Sequence, residues 1–296
     1  MKKILGLLVL LSFMASCSDD DDNNNNGRHE IEIDDKLIKS VELMDVTNGE
    51  EIPFGVIDLK YDNERRLTKV KVQENDVNGK VMSLNETLFS YDSRKISYST
   101  MNEEGYSVWL TKGSFDLDKS GRAVRGQQTE DDKSPANFNF KYDGNHYLIS
   151  TLTRAKNYES ESDLEWSDDN VILFDWVEDD RTNSVKRHEY ERIEYTSYYN
   201  NASIDLARMI CFGSEGSEGV KLMGGSHEGS YLDIFGRRVR NMPMRMTALT
   251  DGVKEVKDFE YSRDRNNRIY EIKVKKVRTY RNEQVETKEY RYNIGY

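Results

Sequence analysis

Over most of the chain, hydrophobic and polar residues alternate with a period of two. Phe138, Phe140 and Tyr142 fall on one side and Asn139 and Lys141 on the other, and Val70 and Val72 oppose Lys69 and Lys71. Ile272 and Val274 oppose Glu271, Lys273 and Lys275, and near the end Tyr290, Tyr292 and Ile294 oppose Arg291 and Asn293. Successive side chains of a strand point to opposite faces, so each stretch reads as a strand with one buried and one wet face.

A second pattern joins these strands. An alternating run ends in an aromatic residue and Asp, a polar turn follows, and another run begins: Leu59-Lys60-Tyr61-Asp62 then Arg66-Leu67, and Phe89-Ser90-Tyr91-Asp92 then Arg94-Lys95-Ile96. It recurs as Phe115-Asp116-Leu117-Asp118 then Gly121-Arg122, as Phe140-Lys141-Tyr142-Asp143-Gly144, and as Phe259-Glu260-Tyr261-Ser262 then Asn267-Arg268-Ile269. Asp, Asn and Gly satisfy tight-turn geometry, and Asn78-Gly79 and Asp251-Gly252 add two short hairpin turns. Successive hairpins give an antiparallel meander, and a ladder this long curls, so the predicted fold is all-β, a barrel or half-barrel. One segment breaks the rhythm. Residues 201–211 combine a polar start with Ile204, Leu206, Ala207, Met209 and Ile210, which predicts one short helix, and a Gly- and Ser-rich loop follows from Gly213 to Gly229.

The first residues belong to a different kind of segment. Lys2 and Lys3 precede an apolar run from Ile4 to Leu11, and Ala15 and Ser16 stand before Cys17, which is the layout of a secretory signal over residues 1–16. The run is too short to span a bilayer, which takes roughly 20 residues. Met14-Ala15-Ser16-Cys17 resembles the lipobox of bacterial lipoproteins, with Met14 where Leu is usual, and the resemblance implies lipid on Cys17 at the new N-terminus. Asp19 to Asp22 and Asn23 to Asn26 cannot bury apolar area and read as a solvated tether over residues 17–27, ahead of a single β domain over 28–296. Cys17-Ser18-Asp19-Asp20-Asp21-Asp22 also resembles the signal by which Bacteroidetes carry lipoproteins to the outer face of the outer membrane. The expected location is the outer membrane, lipid-anchored and facing the exterior.

Charge and cysteine content narrow the partners. Loss of Lys2 and Lys3 with the signal removes two positive charges and takes the net charge from −11 to −13, which repels nucleic acid and anionic lipid. The sequence has two cysteines, so with Cys17 acylated, Cys211 has no intramolecular disulfide partner and stability rests on packing. Eighteen tyrosines, three prolines and 33% charged residues suit long amphipathic strands.

Beyond the tether the chain resembles a family of uncharacterised Bacteroidetes lipoproteins with a porin-like β fold, whose hairpins are similar to the tyrosine-aspartate repeats of large secreted proteins. The residues that carry the likeness are Ala202-Ser203-Ile204-Asp205-Leu206, the following Gly-rich loop, Gly236-Arg237-Arg238-Val239-Arg240-Asn241-Met242-Pro243 and the closing Phe259-Glu260-Tyr261 hairpin. The resemblance implies a fold and an address, and brings no catalytic residues. The acid-rich surface and the want of a lipid-facing apolar band argue against a true porin.

No constellation names a reaction. Asp116, Asp118 and Ser120, with Gly121 behind them, have the opening spacing of a calcium loop, but position 12 is Gln127, and a hairpin turn is the better reading. His29, His146, His188 and His227 are scattered, with no zinc spacing. Glu165, Asp168, Asp169, Asp175, Glu178, Asp179 and Asp180 interleave with Trp166 and Trp176, which allows a glycan-active hydrolase to be imagined, although turn acids and core aromatics account for the same residues. Cys211 closes an apolar stripe and reads as a small core residue. The leading expectation is a non-catalytic, surface-anchored binding protein without cofactors, with polysaccharide or an envelope protein as partner and Trp109, Trp166 and Trp176 as candidate ligand-binding residues. A lipid or lipoprotein carrier with an apolar concave sheet, and a glycan-active hydrolase built on the carboxylates from Asp168 to Asp180, with Asp175 and Glu178 the first two to test, are the alternatives.

Overall fold

The alternation becomes strand pairing in the computed structural model, which describes residues 36–105, 107–131, 134–211 and 231–296. The strands are β1 (Ser40–Asp45), β2 (Ile52–Tyr61), β3 (Leu67–Asn75), β4 (Val81–Asp92), β5 (Lys95–Glu104), β6 (Ser107–Leu117), β7 (Ala123–Glu130) and β8 (Ala136–Tyr142). They continue as β9 (Leu148–Ala155), β10 (Tyr158–Ser167), β11 (Asn170–Asp180), β12 (Val185–Tyr199), β13 (Asn241–Thr250), β14 (Val253–Arg263), β15 (Ile269–Thr279) and β16 (Val285–Gly295). Each pairs antiparallel with its neighbours in the chain, and β1 pairs with β16, Val41 opposite Ile294 and Leu43 opposite Tyr292. The predicted meander is thus a closed barrel of sixteen strands and leaves no half-barrel edge. Cys17, the tether, the loop from Gly213 to Gly229, His29, His227 and the side chain of Cys211 lie outside the described residues.

The aromatic–Asp turns line one end of the barrel, and those that open at Asp62, Asp118, Asp143 and Asp264 share one geometry. In the turn 62–66 the Asp62 carboxylate accepts the backbone N–H groups of Glu64 and Arg66, both at 2.9 Å, and the Arg66 Nε–H at 2.8 Å. Asp118 accepts from Ser120, Arg122 and the Arg122 guanidinium at 2.9, 2.9 and 2.8 Å. Asp143 and Asp264 repeat the two backbone bonds to the second and fourth residues onward. The fourth residue of each turn is left-handed: Arg65, Gly121, His146 and Asn267 have φ of 66°, 77°, 71° and 60°. A register shift sits beside the turn in β2–β3, β6–β7, β8–β9, β10–β11 and β14–β15.

The aromatic of the motif ties one hairpin to the next. Tyr91 donates its hydroxyl to the Leu67 carbonyl at 2.7 Å, Tyr142 to Ala123 at 2.7 Å, Tyr195 to Val171 at 2.6 Å and Tyr261 to Pro243 at 2.6 Å. The turn arginine caps the same ring: the guanidinium carbons of Arg66 and Arg122 stand 5.0 Å from the centroids of Tyr91 and Tyr142. Burial pushes the Tyr91 phenol up to about 12 and raises that of Tyr142 as well, so both remain donors through the neutral range.

The described residues between β12 and β13, 200–211 and 231–240, fill the barrel at this end. Ile204, Leu206, Ile210, Leu232, Phe235 and Val239 are buried with the inward residues of the strands. Phe235, fully buried, packs edge-on to Phe115 at 5.7 Å between centroids and tilts onto Phe140 at 5.0 Å. Three hairpins hold this plug by its backbone. Ala123 N–H donates to the Ile234 carbonyl at 2.7 Å, Arg237 N–H to His146 at 3.1 Å and Arg240 N–H to Asp169 at 2.9 Å. Gly236 is left-handed, with φ of 77°, and a Cβ there would stand 2.4 Å from the His146 carbonyl oxygen. The helix expected over 201–211 is one π turn, Ala207–Cys211. Its polar approach is spent on tertiary contacts instead, Asn200 donating to Asp205 at 2.6 Å and Val239 at 3.1 Å, and Arg208 N–H to Asp205 at 3.0 Å.

Removal of the central plug ring should therefore cost a full aromatic side chain. Phe235→Ala is expected to destabilise the barrel by ~3–5 kcal/mol and to lower the melting temperature by roughly 10 °C, measured by thermal circular dichroism.

Candidate binding site in the barrel lumen

Followed away from the plugged end, the inward faces change character strand by strand. On β12 Ile193 gives way to Glu191 and Glu189, on β14 Phe259 to Lys257 and Glu255, and on β15 Val274 to Lys276 and Arg278. Strand register aligns these residues into two rows. One runs Glu191, Ala248, Glu255, Arg278, Glu286 and the other Ile193, Met246, Lys257, Lys276, Lys288. Glu189, Glu191, Lys257 and Lys276 are buried, and charges there persist only when paired. Lys257 Nζ lies 3.2 Å from Glu255, the Arg278 guanidinium donates to the same carboxylate, and Lys276 Nζ stands 5.6 Å from the Tyr290 ring centroid. Although burial alone would raise it, Lys257, Arg278 and Lys276 together hold the Glu255 carboxyl below its ordinary value.

Elsewhere around the ring the same inward positions carry hydroxyls. Thr87, Thr100 and Thr111 lie side by side on β4, β5 and β6, with the first two hydroxyls 2.9 Å apart and Asn102 donating to Thr111 at 3.0 Å. Thr151 faces Ser162, and Thr153 faces Ser160. Among the described residues the buried Thr153 hydroxyl has no hydrogen-bond partner. The lumen is therefore apolar and plugged at one end, and polar at the other, with a hydroxyl side on β4–β10 and a charged side on β11–β16.

The outward faces carry cross-strand ion pairs beside exposed apolar residues such as Leu88, Met101, Val177 and Leu249. Lys69 pairs with Glu86 at 2.6 Å, His188 with Asp175 at 2.6 Å, Lys275 with Glu289 at 3.6 Å, and Arg245 with Asp258, each pair crossing between adjacent strands. A lipid-spanning barrel needs an outward apolar band about 25 Å tall, and Lys or Arg at its middle costs ~2–4 kcal/mol each. These strands carry ion pairs where that band would be. Among the described residues no helix is long and apolar enough to cross a membrane.

The tryptophans are not gathered on one exposed platform. Trp176 is buried on the inward face of β11, with 4% of its surface exposed. Trp166 is half-buried, donates its indole N–H to the Leu148 carbonyl at 2.7 Å and packs on Tyr147 at 4.6 Å between centroids. Trp109 is half-buried on β6, opposite Asn102 and five strands away from Trp176. Asp175 and Glu178 stand three positions apart on β11 and project to opposite faces, so they cannot flank one glycosidic bond.

The calcium-like residues form a turn. Asp118 spends its carboxylate on Ser120 and Arg122. Burial would raise its pKa, but the hydrogen bonds from the Arg122 backbone and guanidinium hold it below the ordinary value. Asp116 is exposed on β6. No group of three or more His, Cys, Asp or Glu among the described residues is placed to hold a metal ion.

The residues that sequence reasoning missed are the inward charges Glu189, Glu191, Glu255, Lys257, Lys276 and Arg278. Their signal was present: each sits in phase with apolar residues of its own strand, Lys276 with Ile272 and Val274, Lys257 with Phe259 and Tyr261.

The fold has solved counterparts. It is similar to a porin-like protein from Bacteroides uniformis ATCC 8492, with a TM-score of 0.60 and 14% identity over 87% of this chain and 96% of the other. It is also similar to a porin-like protein from Bacteroides vulgatus ATCC 8482, with a TM-score of 0.55 and 14% identity over 88% and 99%. At that identity the likeness is one of fold. No family model and no curated protein matches the sequence.

The lumen charges make a pH-dependent contribution of known sign. A carboxylate whose folded pKa is lowered adds stability above its unfolded value, near 4.5 for Glu255, and that stability is lost as the pH falls through the lower folded value. Melting temperatures should fall from pH 5 downward. Glu255→Gln should lower stability at pH 7 by about 1.5–3 kcal/mol and flatten this decline; an unchanged pH profile would contradict the assigned pairing.

Proposed function

We propose that this chain is a non-catalytic binding protein held on the outer membrane by lipid on Cys17, displaying a water-exposed barrel whose polar lumen end and rim take a polar ligand. A polysaccharide or a face of another envelope protein fits that chemistry. The observation that carries the reading is the division of the lumen: the apolar half is occupied by the protein's own plug, and the remaining half presents hydroxyls beside balanced charges.

Two features favour it over the alternatives. A lipid carrier needs an apolar concavity, and here Phe235 and its neighbours already occupy the apolar layer. A glycosidase built on Asp175 and Glu178 needs two carboxylates on one side of the sheet, and the pleat separates them. Ser and Thr hydroxyls with paired ions suit hydrogen bonding to a hydroxyl-rich or zwitterionic partner.

Binding of the mature protein to a glycan array, and pull-down of partners from outer membranes, should give a signal that Thr153→Val or Lys276→Met weakens. Silence in both assays would sink the proposal.

A further inference from the structure

We infer that the lumen wall around Trp109 is a sugar subsite, which takes neutral hexose units of a polysaccharide and excludes uronic acids. The inference rests on the proposed reading of the lumen as a ligand site, and adds to it the residues that recognise the ligand and the class of sugar they select.

Strand phase turns Trp109 into the lumen. It shares the inward side of β6 with Thr111 and Phe115, both buried, and lies near the start of that strand at the polar end of the barrel. The other tryptophans are used by the fold: Trp166 donates to the Leu148 carbonyl and packs on Tyr147, and Trp176 is buried in the core. Trp109 is only half-buried, and among the described residues it has no hydrogen bond, ring contact or cation over its face. An indole on a polar wall with no partner of its own offers that face to a ligand.

Register sets amides beside it. Asn102 lies opposite Trp109 and Asn85 opposite Asn102, so the indole and two amides form one row across β6, β5 and β4. The next row toward the plug is Thr111, Thr100 and Thr87, whose buried hydroxyls make a floor. Asn102 donates its amide to the Thr111 hydroxyl at 3.0 Å and to the Thr100 carbonyl at 3.4 Å, which fixes its plane and leaves its oxygen to accept. Asn85 makes no hydrogen bond among the described residues. A hexose ring matches this set. Its C–H face carries partial positive charge and rests on the negative face of an indole, while its edge hydroxyls donate to and accept from amides.

Charge selects among sugars. Glu74, Glu104 and Glu130 share the inward phase of β3, β5 and β7 around the same row. No Lys or Arg occupies a described inward position on β3–β7. The inward Lys257, Lys276 and Arg278 stand on β14 and β15, on the opposite side of the ring from β6. A uronate carboxylate at Trp109 would meet like charges without a counter-ion.

The test offers the mature protein an array of neutral oligohexoses and oligouronates, and titrates the best-bound oligosaccharide by calorimetry. Neutral oligohexoses should bind and oligouronates should not. Trp109→Ala should weaken binding about tenfold or more, as loss of a stacked ring implies, and Asn85→Ala about two- to tenfold. Melting temperatures should stay close to that of the parent, because the fold uses neither side chain. Trp109→Phe, which keeps a ring, should retain most of the binding, and together with Asn85→Ala it carries the test if Trp109→Ala does not fold. Undiminished binding by Trp109→Ala and Asn85→Ala, or a preference for oligouronates, would overturn the subsite while leaving the barrel a binding protein. A silent array with an envelope protein captured from outer membranes would overturn the subsite alone. Silence in both assays would remove the proposed function with it.

Discussion

Sixteen strands closed into one ring enclose more space than their own side chains can fill; eight is about the number at which wall residues meet across the middle. The rest of this structure is a response to that width. At one end the described residues between β12 and β13 fold inward and supply the missing volume, with Phe235 seated against Phe115 and Phe140. At the other end the strands turn hydroxyls and paired charges into the space. The aromatic–Asp hairpins hold the plugged end in register, because each tyrosine hydroxyl binds the start of the strand before it and each arginine covers that ring.

A second consequence concerns the solvent. A barrel of this size resembles a porin in its strand count and closure, and solved porin-like proteins share its fold. Its outward residues have other chemistry. Lys69 with Glu86, His188 with Asp175 and Lys275 with Glu289 form ladders of ion pairs suited to water. A closed barrel can remove all its sheet edges without a bilayer, and the plug then replaces an aqueous channel with a core.

Much of the fold was legible in the sequence because a β meander with one wet face writes itself as alternation, and because Tyr-Asp turns repeat with the same residues. Closure was less legible, since the pairing of Val41 with Ile294 joins segments some 250 positions apart and leaves no local trace. The interruption at 200–240 was visible as a break in rhythm, but its role was not: Asn200 and Asp205 look like a helix start and act as tertiary ties. The lumen charges were hidden by the reverse problem. Lys257 and Lys276 are charged, and only the phase of the strand, set by Phe259 and Ile272, places them inside. Strand phase likewise decides that Trp176 faces the core, and Trp166 on β10 is tied to the Leu148 carbonyl.

The account stands on the claim that this is a wide barrel filled from within and wet outside. The most direct test is the partitioning of the mature chain with Cys17→Ser, offered sealed vesicles in detergent-free buffer. The account predicts folded β protein in the aqueous phase, melting cooperatively. Stable insertion into the vesicles, or folding that depends on detergent, would contradict it.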